Sequence, residues 1–495
     1  MITLTGILLA GGAGSEAWAN KGVYEWALVR LDFARKEKVR HLKRFSDRIH
    51  ALAVQAAEDP SVIGCFDIGL QYAAALEKGP VPQALTAKIE DLQAGFNRYY
   101  IENYFSFYDI LFVDGKGKVF YTIRKEEDLH ADLLKGDPPK SLLARCLAQK
   151  PEREAFVDFH HYSPSAKPAA FFVEPVRKDN LLMGWIVFQC AINKVNTIFS
   201  GTEDLGRTGE TFLVNWEGLM LTESNFIGDS TILKKRLDDR NIQAKFEDRQ
   251  GNRTVVDYRG YAALTSFEVV DFLGTRWLVV AKMDKDEVIT QHYARYRRYY
   301  SEKLLTHLSN TPPPPMRAAS LPVAEKTLRI DMDEFIKANN GERLQTFGVS
   351  TCTGLIASYP EKFAYMAHIS PIDKIYGEAG TNLVGQMINK IKSFDIYPCE
   401  KRAIGFAVVA PHLDSLLPII DKLVAEGFLL SQIRVLYTPK ASSATISYDC
   451  GKDNLHVFWR LAKNSGSKHF HILQDASNAG EIVRQVMQSE EGKRV

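Results

Sequence analysis

The chain has little cysteine: six residues in 495, Cys65, Cys146, Cys190, Cys352, Cys399 and Cys450, scattered and without a CxxC pair. That excludes a scaffold built on disulfides and gives no zinc-ribbon spacing, so no metal site is expected. It also lacks an excess of either charge, with Lys+Arg 62 against Asp+Glu 60. Without a basic field to neutralise phosphates, nucleic acid is not an expected partner. Long hydrophobic runs are missing too. Ile2 to Ala13 is an apolar run of about twelve residues, short of the ~20 a membrane-spanning helix needs, and no later stretch approaches 18. What remains is ordinary globular composition, 45% hydrophobic and 25% charged, at a length that predicts roughly three domains.

The run Ile2 to Ala13 is followed by Ala17-Trp18-Ala19, a small-x-small site that a signal peptidase could cut before Asn20. A secretory signal over 1–19 is the expectation, although no positive side chain precedes Lys21. The alternative is a buried strand with a Gly-rich turn at Gly11, Gly12 and Gly14. A working signal puts the rest of the chain in the periplasm or outside the cell.

From Val23 to Ala57, apolar residues including Leu28, Leu31, Val39, Leu42, Phe45, Ile49, Leu52 and Ala56 recur mostly every three or four positions. This spacing predicts a long amphipathic helix, ended by Pro60. Its narrow stripe suits either a partner helix in a homodimer or its own domain.

An internal repeat follows. Leu111-Phe112-Val113-Asp114, a turn with Gly117, and Val119-Phe120-Tyr121-Thr122 recur about a hundred residues later as Phe212-Leu213-Val214-Asn215, Gly218 and Leu219 to Thr222. Likewise Ala170 to Val176, Gly184 to Phe188 and Ile192 to Val195 parallel Ala263 to Val270, Trp277 to Val280 and Met283 to Lys285. Strand, Asx–Gly turn, strand is a hairpin signature, so two copies of one antiparallel α+β module are predicted.

These residues resemble the double Cache (dCache) sensor domain of bacterial chemoreceptors and sensor kinases. The likeness lies in Asp158-Phe159, Tyr162-Ser163-Pro164-Ser165, Pro168 to Phe172, Gly206-Arg207-Thr208-Gly209-Glu210-Thr211 and Asp257-Tyr258-Arg259-Gly260. It implies a long helix and two PAS-like modules over 20–290, a distal one at about 60–200 and a proximal one at about 201–290. It also implies a small-molecule ligand, for which Asp158, Tyr162 and Gln189 are the candidate contacts; Asp158 and Tyr162 could equally only fix a loop. The amino-acid-binding pattern of that family, Arg-x-Trp-Tyr with an Asp on the strand now holding Gln189 and Cys190, is absent. His160 and His161, adjacent on one strand, face opposite ways and argue against a metal.

Val288 to Leu308 is too Arg-rich to cross a bilayer, and Pro312 to Pro315 forms a stiff spacer, so 291–325 is read as a linker. Beyond it, 326–486 alternates strands (Thr346 to Ser358, Phe363 to Ile369, Arg402 to Ala410, Gln432 to Tyr437) with helices (Gly377 to Ser393, Leu416 to Glu426), a compact α/β pattern. The fold class expected for the whole chain is therefore α+β.

In this last domain Cys352 and His368 fall at strand ends. A thiol with a pKa of about 8.5 needs a base to become a nucleophile, and usually a third group to orient that base. Thr346, Gly348, Cys352, Met366, His368, Pro371, Tyr376 and the stretch Gly380 to Lys392 resemble the chemoreceptor glutamine deamidase (CheD) family. The resemblance implies Cys352 as nucleophile, His368 as general base and Thr346 as orienting hydroxyl, acting on a glutamine side chain of a protein with no cofactor. Ser350-Thr351 replaces the family's Gly-Ser, and its later Gly-rich motifs are not recognisable. A deamidase of cytoplasmic receptors would be separated from them by the membrane if the signal works, so a non-catalytic protein with a degenerate CheD-like adaptor is the competing expectation.

Overall fold

The computed structural model describes residues 22–103, 107–135, 141–201, 205–237, 239–311, 324, 326–370, 382–393, 400–437, 441–461, 464–468 and 477–491. The expected leader at 1–19, the proline run 312–315, and Pro371, Tyr376, Gly380, Thr381 and Cys399 lie outside them. The chain divides into two compact units, Leu28–Met283 and Asp284–Val495 with Met1–Ala27. The architecture is α+β.

Helix α1 (Glu25–Glu58) buries Leu31, Leu42, Ile49, Ala53 and Ala56. Leu42, Ile49, Ala53 and Ala56 pack into the main core of the first unit, so the stripe is used within the unit, while Val29 and Phe33 stay exposed on another face. Pro60 does more than end this helix. Asp59 accepts the Ser61 N–H and caps a second helix, α2 (Pro60–Lys78), with Pro60 at its first position, where a missing N–H costs nothing. Helix α3 (Gln83–Asn103) follows.

The first module holds β1 (Phe107–Asp114), β2 (Val119–Thr122), α4 (Leu142–Ala148), β3 (Ala155–Tyr162), β4 (Lys167–Lys178), β5 (Leu181–Ala191) and α5 (Ile192–Phe199). Its sheet order is β2-β1-β5-β4-β3. The second module holds β6 (Glu210–Asn215), α6 (Asp239–Asp248), β7 (Gln250–Val256), β8 (Ala262–Phe272) and β9 (Thr275–Asp284), in the order β6-β9-β8-β7. This is the same order with the second strand reduced to the bridge Val214↔Met220. The repeated turns match in detail. Asp114 accepts from Lys118 N with its carboxylate, and Asn215 accepts from Leu219 N with its amide. Gly117 and Gly218 take the positive φ of +90° and +82° that such turns require. Trp277, fully buried, stacks on Phe272 and links the modules by donating Nε1–H to Asp158 at 3.0 Å.

In the second unit, the stretch Val288 to Leu308 forms helices α7 (Lys285–Arg295) and α8 (Arg297–Asn310), which pack on the C-terminal helix. Tyr293 donates to Asp421, Leu430 N donates to Thr290, and Arg402 pairs with Asp284 and Asp286. The remaining elements are β10 (Lys326–Ile330), β11 (Glu334–Asn339), β12 (Glu342–Val349), β13 (Thr353–Tyr359), β14 (Phe363–Ile369), α9 (Leu383–Lys392), β15 (Gly405–Ala410), α10 (Leu413–Ala425), β16 (Ile433–Tyr437), β17 (Ala441–Asp449), β18 (Asn454–Leu461), β19 (Asn464–Lys468), β20 (Ser477–Asn478) and α11 (Ala479–Glu491).

They form two sheets, β10-β12-β17-β18-β19 and β11-β14-β13-β15-β16-β20. Between the sheets lie Leu344, Ile356, Met366, Val409, Ile446 and Val457, while α9 and α10 cover β14 and β15. Only β10/β12 and β15/β16 pair in parallel among the described strands. Strand pairing in this region is therefore mainly antiparallel. The single strand expected over Thr346 to Ser358 is two strands, broken at Ser350 to Cys352.

Candidate functional site

Strand β12 carries Thr346 in one sheet, and β14 carries His368 in the other. β12 slips by one residue against β17 between Thr346 and Val349, a bulge centred on Phe347 and Gly348, with Gly348 at φ +73°. The extra residue changes the strand's parity, so Leu344, Thr346 and Val349 are all buried while Phe347 is turned out. A glycine tolerates that backbone at no steric cost.

The result is a fixed hydrogen-bond chain. Thr346 Oγ1 donates to Ile330 O at 2.8 Å and lies 2.7 Å from His368 Nδ1. A hydroxyl has one proton, and the carbonyl takes it. Nδ1 of His368 must then be the donor, which leaves Nε2 as the basic nitrogen. Nε2 is buried with no hydrogen-bond partner. Burial lowers the His368 pKa, against the opposing charges of Asp333 and Asp331, so the ring is a neutral base at physiological pH.

Cys352 sits immediately before β13, the neighbour of β14. The register sets Gly354 opposite His368, and Cys352 lies two residues before Gly354 in the same buried cluster. A diagonal pair of this kind is roughly 7–8 Å apart at the backbone. The thiol itself is directed to Met332 Sδ at 3.8 Å. Burial raises its pKa, a hydrogen bond with Thr351 works the other way, and Asp333 adds to the rise. The resting group is a protonated thiol. The loop after β10 closes over the pair: Met332 touches the sulfur, Asp333 N donates to His368 O at 2.7 Å, and the Asp333 carboxylate accepts from Ser370. Of the three residues expected here, Thr346 and His368 are in direct contact and Cys352 lies beside them.

In the first unit, Tyr162 and Gln189 are joined through Ser165. Gln189 donates to Ser165 Oγ at 3.1 Å, and Ser165 Oγ donates to Tyr162 O at 3.5 Å. Asp158 is not with them. The β3 register shifts between Val157 and His160, which turns Asp158 toward Trp277. Burial pushes the Asp158 carboxyl up to about 6, against the hydrogen bonds it accepts from Phe159 N and Trp277.

Sequence reasoning missed the acids of this cluster. Asp109 on β1 pairs directly across from Gln189 on β5. Its Oδ1 accepts from Ile110, Ile123 and Arg124 backbone N–H groups, and its Oδ2 is buried without a partner. Burial pushes it up to about 6. Asp128 accepts from the Tyr162 hydroxyl at 3.0 Å, has its other oxygen unpartnered, and is raised by burial. Gln189 Oε1 is likewise unpartnered. No group of His, Cys, Asp and Glu among the described residues could hold a metal.

No family model matches the chain, and no curated protein matches it. Solved structures do. An extracellular ligand binding receptor from Desulfohalobium retbaense DSM5692 matches at 13% identity and TM-score 0.36, over 51% of this chain and 40% of its own, so the chain spans well under half of that receptor. The ligand-binding domain of Mlp24 matches at 12% identity and TM-score 0.38, over 55% of this chain and 99% of its own. That of the amino acid chemoreceptor PctB of Pseudomonas aeruginosa PAO1 matches at 14% identity and TM-score 0.34, over 53% and 92%. Each of these likenesses covers about half of the chain. No helix among the described residues is long and apolar enough to cross a membrane.

Proposed function

We propose that the chain is an exported small-molecule sensor of the double Cache type joined to a CheD-like cysteine amidohydrolase, a protein-glutamine deamidase. The observation that carries the enzymatic half is the buried Thr346–His368 hydrogen bond, which fixes the tautomer and leaves Nε2 of His368 without a partner, on the strand that neighbours the one Cys352 precedes. In the reaction, the Cys352 thiol passes its proton to His368 Nε2 and the sulfur attacks the carboxamide carbon of a glutamine side chain. His368 returns the proton to the nitrogen as ammonia leaves. Water, deprotonated by the same ring, then hydrolyses the thioester to glutamate. Met332, whose sulfur lies 3.8 Å from the thiol, must move aside for the substrate.

The sensing half is supported by the repeated sheet order and by the Tyr162, Gln189, Asp109 and Asp128 cluster, whose unpartnered acceptors suit a ligand with N–H donors. Export rests on the residues before Asn20. N-terminal sequencing of protein from cell fractions, with all of it beginning at Met1, would remove the cleaved-signal reading.

The second reading is a non-catalytic sensor whose C-terminal unit is an adaptor. It is favoured by the protonated thiol facing Met332 and by Ser350-Thr351 in the preceding turn. Ammonia release from glutamine-containing peptides decides between the two. Wild type should release it, while Cys352→Ala and His368→Ala should not, and Thr346→Val should lose roughly tenfold or more in rate. No release by wild type under reducing conditions, with no alkylation of Cys352 by iodoacetamide, leaves the adaptor reading standing.

A further inference from the structure

The second module contains a cavity of about 80 Å³ that the deamidase chemistry does not use. Its walls are mostly apolar, with Phe212, Ile242, Val255 and Val280 among them, and two lysines, Lys245 and Lys282, face it with Asp257. The two cations have unlike surroundings. Lys282 reaches Asp257 at 2.8 Å and Glu210 at 3.2 Å, and Arg259 completes the set on Asp257 at 2.6 Å. Two cations and two carboxylates make that network neutral. Lys245, on α6, is 95% buried (5% exposed) and has no carboxylate or hydrogen-bond acceptor among the described residues. Its ammonium lies over the face of Phe267, 5.8 Å from the ring centroid. Burial brings its pKa down to about 8, and Arg253 adds to the effect.

We infer that this cavity binds a short-chain aliphatic carboxylate, with the Lys245 ammonium as the group that holds the anion. A buried ammonium without a partner is costly, and the missing element is one negative charge with acceptor oxygens. The apolar walls suit a hydrocarbon tail, and the volume restricts it to something of the size of propionate or butyrate. A dicarboxylate would leave its second charge against those walls. The site is separate from the Tyr162–Gln189 cluster, and it stands whether or not Cys352 is catalytic.

Thermal unfolding of the full-length protein in sodium butyrate, against sodium chloride of equal ionic strength and against butyramide, tests the assignment. Butyrate should raise the transition by roughly 5 °C at a hundredfold excess over Kd, and the isosteric neutral amide should not. Lys245→Met should abolish the butyrate shift, while Lys135→Met, at an exposed lysine of the other module, keeps it. If Lys245→Met does not fold, Lys245→Gln serves the same purpose. Line broadening of carboxyl-labelled butyrate on the wild type, displaced by propionate, supplies a readout free of any variant. No shift and no broadening in the wild type overturns the inference. So does a shift that survives in a folded Lys245 variant, or one that butyramide reproduces.

Discussion

The two modules of the first unit place an acid at the same point of the repeat and treat it in opposite ways. Asp109 on β1 and Glu210 on β6 stand 101 residues apart, the offset that also aligns Asp114 with Asn215. Each faces a residue on the last strand of its module: Gln189 for Asp109, Lys282 for Glu210. In the distal module the acid meets an amide, keeps one oxygen unpartnered and is pushed up to about 6. In the proximal module the acid meets a lysine. Burial there works against ionisation of the neighbouring Asp257 as well, yet Lys282 and Arg259 hold it down at about 2. One cross-strand position thus decides whether the face is a poised acceptor or a closed ion-pair network. The internal duplication lets each module act as the control for the other.

The comparison breaks hardest at Lys282. Lys282→Met leaves Glu210 buried without its cation and Asp257 held by Arg259 alone, and should cost about 3–5 kcal/mol, read as a lower urea midpoint. A loss under about 1 kcal/mol would mean the network is not what holds the proximal module. Next, Gln189→Lys would build the proximal pair into the distal module. By carboxyl NMR titration, Asp109 should then ionise at least about 2 units lower, with stability nearly unchanged because desolvating the new lysine offsets the attraction.

Asp109→Asn is smaller and depends on pH. Asp109 has its folded pKa raised to about 6, above an unfolded value of about 3.9. Its contribution is therefore fully present below about pH 4 and lost as pH rises through 6. Asparagine keeps the acceptor for the three backbone N–H groups, so the variant should gain about 1–2 kcal/mol at pH 7.5 and nothing at pH 4. Equal gains at both values would show that the carboxyl is not the cause. Least of all, Tyr162→Phe removes one hydrogen bond to Asp128 and should cost about 1 kcal/mol.

Much of this frame could be read from the chain. The Asx–Gly hairpins repeat in sequence because the turn needs an acceptor side chain and a glycine at fixed positions, and the strands follow from period-two patterning. Thr346 and His368 were legible as residue types with a family spacing. The bulge at Phe347–Gly348 was not, since only the pairing with β17 reveals the slip. Asp158 looked like a ligand contact for the same reason: the irregularity after Val157 that re-aims it depends on β4. Asp109 lies inside an apolar strand, and only its alignment with Glu210 across the repeat would have singled it out. Lys245 sits among the polar residues of α6 and reads as a solvated face until the sheet beneath it is known.

Helices α7 and α8 bear on how the protein comes apart. The proline run 312–315 invites a cut there, yet Arg402 finds its acids at Asp284 and Asp286, and Leu430 N finds its acceptor at Thr290. A fragment beginning after the prolines would keep both sheets of the second unit and lose those partners, together with the apolar packing of Tyr300, Leu304 and Leu308. Limited proteolysis that leaves a stable piece bearing Cys352 should therefore cleave upstream of Asp284.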